Sequence, residues 1–418
     1  MAGGSLGGVS GDVRIVLVRV SGRDRPGITT GLLGVLAGAG VDVYDMEQVV
    51  VRERLTLDLL IGVPDGSDVL KELLFHGWET GIQLDFEVVE PTSSRGNLPR
   101  SVVTVIGRSL PPAALRDVTG AIAGAGGNID RIVRLSRYPV ISYEFVVVDG
   151  AVDRMREALV LTSAEHGIDV AVQRESLERR AKRLVVMDVD STLIQDEAIE
   201  LLAEEAGCRD EVVALTAQAM AGELDFEDAL RRRVALLAGT STEAVARVRD
   251  RVRLTPGART FVRTLHRLGY TVAAVSGGFS AVIDRLSAEL GLDHAVANTL
   301  EVEDGRLTGR LTGDILDRAG KAAVLRRIAA AEGIPLEQTV AIGDGANDLD
   351  MLATAGLGIA FNAKPGVRAA ADTAVSVPYL DAILFLLGIR REEVEAADAE
   401  DPGLVLDGLL PVEGTPPV

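Results

Sequence analysis

Across 418 residues the chain has one cysteine, Cys208, which rules out a disulfide framework within it and fits a reducing compartment. Aromatic residues make up only 3% of the sequence, leaving few platforms on which nucleic-acid bases could stack. Cations are short as well: 43 Lys and Arg face 62 Asp and Glu, a formal net charge of -19. That balance argues against nucleic acid and anionic membrane surfaces, which need clustered Lys and Arg. No apolar run approaches the roughly 20 residues that span a bilayer, and residues 1–12, rich in Gly and Ser, lack a basic-then-apolar leader pattern. The expectation is a cytoplasmic chain.

What is present is globular: 47% hydrophobic and 25% charged residues. A prior of about 150 residues per domain suggests two or three cores. The most informative stretch is residues 184–193, LVVMDVDSTL, where an apolar run ends in Asp188 and Asp190, followed by Ser191 and Thr192. Buried parallel strands read as continuous apolar runs, and ligands collect at their carboxyl ends, so two carboxylates are being delivered to a loop where chemistry would sit.

Residues 13–20 (VRIVLVRV) alternate as a half-buried strand does, and SGRDRPG is turn chemistry before a helix over 28–39. Strands over 41–51 and 55–63 form a hairpin, Ser67 caps a helix to about Thr80, and residues 82–89 make a fourth strand. After a linker at 91–100 the same βαββαβ order returns, and Ala37-Gly38-Ala39-Gly40 recurs as Ala123-Gly124-Ala125-Gly126, 86 residues on. A repeat of that length is a duplicated small domain.

This tandem resembles a pair of ACT domains, modules that bind amino acids at the interfaces between copies. Asp24, Arg25, Pro26 and Gly27 match the family's ligand-binding turn, whereas Leu110, Pro111, Pro112 and Ala113 stand at the corresponding place of the second copy and lack both Asp and Gly. Gly27 would let the backbone approach a ligand, helix N-terminal amides attract a carboxylate, and Asp24 can accept from an amino group. Taken alone, DRPG reads equally as an ordinary turn with Asp24 as a cap. The resemblance implies an effector site at Asp24 and Gly27, with the second copy mainly architectural, and a homodimer through the ACT domains.

Beyond a charged connector at 175–182, alternating β and α patterns predict a doubly wound parallel sheet over 183–391. A helix-rich insertion occupies about 195–254, Asp304-Gly305 marks a hairpin, and residues 392–418 form an acidic tail expected to be mobile. The expected organisation is a flexible segment 1–12, α+β modules at 13–90 and 101–174, and this α/β region.

Asp188-Val189-Asp190-Ser191-Thr192 resembles the first motif of the haloacid dehalogenase superfamily of phosphotransferases. Ser276-Gly277-Gly278, Lys321 and Gly343-Asp344-Gly345-Ala346-Asn347-Asp348 come after it in that family's order. A carboxylate attacks phosphorus only if the repulsion between two anions is cancelled, which a hard cation with oxygen ligands achieves. The resemblance therefore implies Mg2+ as cofactor, Asp188 as nucleophile and ligand, Asp344 as a second ligand, Asp190 as a ligand through its carbonyl, and Asp348 behind them. Ser276, Lys321 and the Gly277 and Gly278 amides would take phosphoryl oxygens, with Asn347 lining the substrate. A carboxylic acid at Asp190 can protonate a leaving alkoxide and then deprotonate water, which favours a phosphatase.

The insertion (DEAIELLAEEAG, then AQAMAGELDFEDALRRRVALL) resembles the cap of phosphoserine phosphatases. That likeness places Glu197 near the substrate ammonium, Arg233 on its carboxylate, and Met220 and Phe226 as apolar walls. Of Arg231, Arg232 and Arg233, consecutive on a helix, only one can face inward. The implied function is hydrolysis of O-phospho-L-serine, the last step of serine biosynthesis, with L-serine feedback at the ACT pair. Open alternatives are another small phosphate ester such as phosphothreonine or phosphohomoserine, or an amino-acid sensor with an inert phosphatase half. His76, His166, His266 and His294 lie outside every motif and read as structural or surface residues.

Overall fold

The computed structural model describes residues 13–90, 98–220 and 224–406, with the Met220 side chain outside that set. The expected segment 1–12, most of the expected linker and the end of the tail lie outside the described residues. The chain divides between residues 97 and 98 into two compact units.

In the first unit, β1 (Val13–Arg23), β2 (Asp42–Val51), β3 (Arg54–Pro64) and β4 (Gln83–Val88) form an antiparallel sheet in the order β2-β3-β1-β4. The alternation of β1 has its expected cause: Val16, Val18 and Val20 point into a core with Leu32, Leu36 and Leu73 from the helices Ile28–Gly38 and Val69–Thr80. Arg52 and Glu53, both at positive φ, make the tight hairpin turn. Ser67 lies one residue before the N-cap, which is Asp68, yet its hydroxyl still accepts from the Val69 N–H at 3.3 Å. All ten residues of edge strand β2 are exposed.

The second unit opens with the repeat: β5 (Arg100–Gly107), β6 (Asn128–Ser136), β7 (Ile141–Val148) and β8 (Asp169–Arg174), ordered β6-β7-β5-β8, with helices Pro112–Gly124 and Val152–His166. Gly40 and Gly126, equivalent in the repeat, both adopt positive φ just after their helices. Along β5 this sheet is buried on both faces, while edge strand β6 is largely exposed. Val103, Val105 and Val147 pack on the module's own helices, while Ile106, Leu135, Val140 and Ala171 join the core of the β/α region.

The second module and the β/α region are therefore joined without a gap, although a charged connector was expected at 175–182. Its helix is only Leu177–Arg180, and Arg179 is buried, donating to Glu144 Oε2 at 2.6 Å. Lys182 is buried too and donates to the Glu337 carbonyl at 2.5 Å. The module's sheet face needs cover, and the charges are consumed as paired groups beneath it.

The β/α region contains β9 (Leu184–Met187), β10 (Thr271–Phe279), β11 (His294–Glu303), β12 (Arg306–Thr312), β13 (Thr339–Gly343), β14 (Gly358–Phe361) and β15 (Thr373–Val375). Their order is β12-β11-β10-β9-β13-β14-β15, with β12 antiparallel to β11 and the remaining pairs parallel. Asp304 and Gly305, both at positive φ, turn the β11–β12 hairpin as expected. Central β9, β10 and β13 are covered on both sides, which is why they read as unbroken apolar runs.

Helices Ala198–Ala206, Arg209–Met220, Phe226–Ala235 and Thr242–Arg251 form the insertion. It has its own core, which also takes in Phe279, Val282, Leu300 and Leu307. Its two chain crossings run side by side, the Gln195 N–H donating to the Arg253 carbonyl at 2.9 Å. The tail differs from expectation over its first part: Arg391–Ala399 and Pro402–Leu406 are helical. Asp398 lies 2.6 Å from Arg263 and also pairs with Arg267, so acidic composition here serves docking onto a basic helix face. Among the described residues no helix is long and apolar enough to cross a membrane.

Candidate active site

Three strand ends converge on one point. Asp188 comes directly after β9 and is 3% exposed, with its N–H bonded to the Ile342 carbonyl of β13. Lys321, on helix Arg318–Ala331, is 1% exposed and donates to Asp188 Oδ1 and Asp348 Oδ1, each at 2.6 Å. Asp348 also accepts from the Gly345 N–H at 3.0 Å through its other oxygen. Carboxylate oxygens of Asp188, Asp344 and Asp348 lie within 4.8 Å of one another, a hard-oxygen donor set of the size a divalent cation takes.

Beside this cluster, Asp190 accepts from the Ala198 N–H at 2.7 Å and from Ser276 Oγ at 3.0 Å, while Ser276 Oγ accepts from the Gly278 N–H at 2.8 Å. A Cβ at position 278 would come to 2.7 Å from Asp190 Oδ2, so a side chain there would displace that carboxylate. Two groups expected to hold phosphoryl oxygens, Ser276 and the Gly278 amide, are thus bonded to each other, and Ser276 also to Asp190. The turn between Asp190 and the cap is made by Ser191 at φ 58°, an unusual conformation for a residue with a side chain.

The electrostatics come from crowding carboxylates where water is scarce. Burial, then the charge of Asp348, raises Asp188 well above the usual carboxylate range, with Lys321 opposing. Asp190 is raised by burial against the pull of its two hydrogen bonds. Asp344 is pushed up to about 6 by burial and by Asp348. Burial alone would depress the Lys321 ammonium, but Asp188 and Asp348 outweigh it and hold the group firmly protonated. The cluster carries more negative charge than one lysine offsets.

From the cap, Glu197 accepts from Ser191 Oγ at 2.9 Å. Glu197 as a residue is exposed to solvent, yet its carboxyl stands in a low-dielectric recess and is pushed up to about 7 by that desolvation and by Asp190. Arg233 is half-buried, donating from Nε to the Ala229 carbonyl and from Nη1 to Thr216 Oγ1, both at 3.3 Å. Burial lowers its pKa, while Glu197 and Asp190 favour its charge. Arg231 and Arg232 face solvent, Arg231 pairing with Glu227, so the helix turns one arginine of the three inward. Phe226 approaches Gly277, its ring 3.6 Å from where a Cβ would stand. Met220 ends its helix, and its side chain lies outside the described residues. Asn347 is half-buried beside Gly345.

Asp24 and Gly27 belong to the other unit. There Gly27 starts its helix at φ 95°, and an open cleft is lined by Arg23, Asp24, Arg25 and Glu53. The cleft offers charge for binding but no grouped carboxylates like those at Asp188. Motif reading missed Asn298, which is buried, donates to the Gly277 carbonyl and accepts from the Leu316 N–H, both at 2.8 Å. It ties the Ser276 loop to the segment leading into the Lys321 helix. Nothing in its strand, HAVANTLEVE, singles it out, because polar residues recur along it. A second acidic group, Asp117, Glu165 and His166, is engaged with Arg116: Asp117 falls to about 2 through its bonds to Arg116 and His166.

Residues 185–353 match the family model of haloacid dehalogenase-like hydrolases, and residues 14–87 and 100–173 each match an ACT domain model. The chain is 57% identical over 399 residues to a phosphoserine phosphatase of Streptomyces coelicolor, an overlap of 94% of this chain and 97% of that one. It is 47% identical over 401 residues to a phosphoserine phosphatase of Mycobacterium tuberculosis, covering 93% and 97%. Among solved structures, an unliganded probable phosphoserine phosphatase from Vibrio cholerae superposes with a TM-score of 0.56 at 33% identity, covering 75% of this chain and 92% of that one.

Proposed function

The chain belongs to the phosphoserine phosphatase family, with two ACT domains preceding its haloacid dehalogenase-like hydrolase domain, and we propose that it hydrolyses O-phospho-L-serine to L-serine and phosphate. The observation that carries this reading is the meeting of Asp188, Asp344, Asp348 and Lys321 at the strand ends, directly under a cap that offers one carboxylate and one guanidinium. A zwitterionic phosphate ester needs that combination: an anion for its ammonium, a planar fork for its carboxylate, and cations for its phosphate.

In this reading Asp188 attacks phosphorus, and the P–O bond to the serine Oγ breaks as the aspartyl phosphate forms. Asp190, whose protonated form is favoured by its burial, gives its proton to the departing alkoxide. It then takes a proton from water, which attacks the same phosphorus and releases phosphate and the free Asp188 carboxylate. Lys321 and Ser276 turn from their resting partners to the phosphoryl oxygens, where negative charge spreads during transfer. Glu197 receives the ammonium, Arg233 the carboxylate, and Phe226 and Met220 exclude water.

The donor set fits Mg2+, with Asp188 and Asp344 as carboxylate ligands, the Asp190 carbonyl as a third, and Asp348 orienting them from behind. Bound there, the ion supplies the positive charge that lets two anions approach.

The first module would take L-serine at Asp24 and Gly27 and lower activity as feedback. The positive φ of Gly27 at a helix start and the charged cleft beside it support this. The exposed edge β2 supports a homodimer through the ACT domains, since an unpaired edge of that length invites a second strand.

A panel of phosphate esters assayed with and without Mg2+ tests the whole reading. Phosphoserine should be preferred and its hydrolysis should require the ion. Equal use of phosphothreonine or phosphohomoserine moves the substrate assignment, and no hydrolysis of any ester favours an inert sensor. For the effector, L-serine should inhibit the parent protein and leave Asp24→Ala unaffected. If L-serine changes neither activity nor melting temperature in either protein, the regulatory reading fails.

A further inference from the structure

Arg233 is presented by a grip from two helices. Its Nε bonds to the Ala229 carbonyl of its own helix, Phe226–Ala235. Its Nη1 crosses to Thr216 Oγ1 on the neighbouring helix, Arg209–Met220. The Thr216 hydroxyl in turn donates to the Val212 carbonyl at 2.9 Å. A hydroxyl has a single proton, and Thr216 has spent it on Val212, so toward Arg233 it can only accept. A guanidinium has five donors and no acceptor. The pair is therefore polarised in one sense only, and among the described residues nothing bonds to Nη2, which leaves that edge for a ligand.

We propose that Thr216 is a positioning residue for substrate specificity: by holding Nη1 it fixes the plane and reach of the Arg233 fork, so that the amino-acid carboxylate meets a preformed partner. This rests on the assignment of Arg233 to that carboxylate. A free arginine side chain loses rotamer freedom when it binds, and a preset one has already lost it. Thr216 touches neither the phosphoryl group nor Asp188, so its contribution is to ground-state recognition. It reads as KM rather than kcat.

The test compares O-phospho-L-serine with O-phosphoethanolamine, which lacks only the carboxylate, in the full-length parent, Thr216→Val, Thr216→Ser, Arg233→Ala and the Thr216→Val/Arg233→Ala double variant. Loss of one hydrogen bond predicts about a three- to tenfold rise in KM for phosphoserine in Thr216→Val, with kcat within about twofold. KM for phosphoethanolamine should not move, Thr216→Ser should behave as the parent, and Thr216→Val should add nothing once Arg233 is gone. An unchanged KM for phosphoserine, equal losses on both substrates, a failure of Ser to rescue, or full additivity in the double variant each overturns the proposal. If Arg233→Ala alone leaves the parent's preference for phosphoserine intact, the carboxylate assignment itself falls and takes this inference with it. That outcome is visible without any Thr216 variant.

Discussion

The pocket at the strand ends and the cap above it are built on opposite plans. In the pocket, Asp188, Lys321 and Asp348 are almost wholly buried, and the one ammonium is bonded to both carboxylates. On the cap, among the described residues, the Glu197 side chain has one bond, to Ser191, and Arg233 has two long ones from Nε and Nη1. The difference comes from what each must do. Charge that develops during a reaction is best met by groups already fixed and dry, whereas a ligand that arrives from water needs groups still able to bond. Chemistry and recognition are thereby separable: pocket changes should act on every ester, cap changes on the choice among them.

The largest effect expected is from Asp188→Asn, which keeps the shape and removes the attacking carboxylate. Turnover of any ester should fall by at least about 10³-fold, because residues acting as a unit fail together. Retained activity on any substrate would remove Asp188 as nucleophile. Asp190→Asn should cost about 10²- to 10⁴-fold, the range of a lost general acid. That loss should shrink for esters with good leaving groups, such as p-nitrophenyl phosphate, since a phenolate needs less help from a proton. An equal loss on both esters would leave Asp190 with an architectural role.

Arg233→Ala should break the comparison from the other side. KM for phosphoserine should rise about tenfold to 100-fold, as for a charged hydrogen-bonded contact, while phosphoethanolamine is used as before. If kcat falls equally for both esters, the cap is part of the catalytic unit and the division of labour does not hold.

Much of this was legible in the residues, and the reason differs by region. Pocket groups sit at ends of unbroken apolar strands, so Asp188, Ser276 and Asp344 could be put at strand ends while the motif resemblance brought them to one site, and positive φ at Asp304 and Gly305 was implied by the pair itself. Thr216 and Asn298 were not legible, because a hydroxyl on a helix and an amide in a strand gain meaning only from what crosses to them. The second module's fusion to the β/α region was written in β5, whose SVVTVIG is buried at every position while β1 alternates. A sheet with two covered faces loses its period of two, and that contrast between copies was the signal for a shared core. The first part of the tail, to Leu406, was misjudged for a related reason: acidic composition cannot distinguish a solvated segment from one docked on arginines such as Arg263 and Arg267.

The smallest effect sharpens the comparison through pH. In metal-free protein Asp344 is held at about 6 and Glu197 at about 7, both above their ordinary carboxylate values, so the folded state binds these protons more tightly than the unfolded chain does. Folding is then favoured while both are protonated, and stability is lost progressively as pH rises from about 4 to about 7, above which the full penalty remains. Glu197→Gln should relieve the upper part of that window, by on the order of 1 kcal/mol once solvent screening at this exposed residue is allowed for. Added Mg2+ should relieve the pocket's share by favouring ionised Asp188 and Asp344, and should leave in place the larger part of the Glu197 share, which comes from desolvation and Asp190 before Asp344. Denaturant titrations from pH 4 to 8, in chelator and in Mg2+, measure both. If the Glu197→Gln and parent curves stay parallel in chelator, Glu197 is not crowded as its surroundings imply. If Mg2+ erases the Glu197→Gln difference as well, pocket and cap share one electrostatic site rather than two.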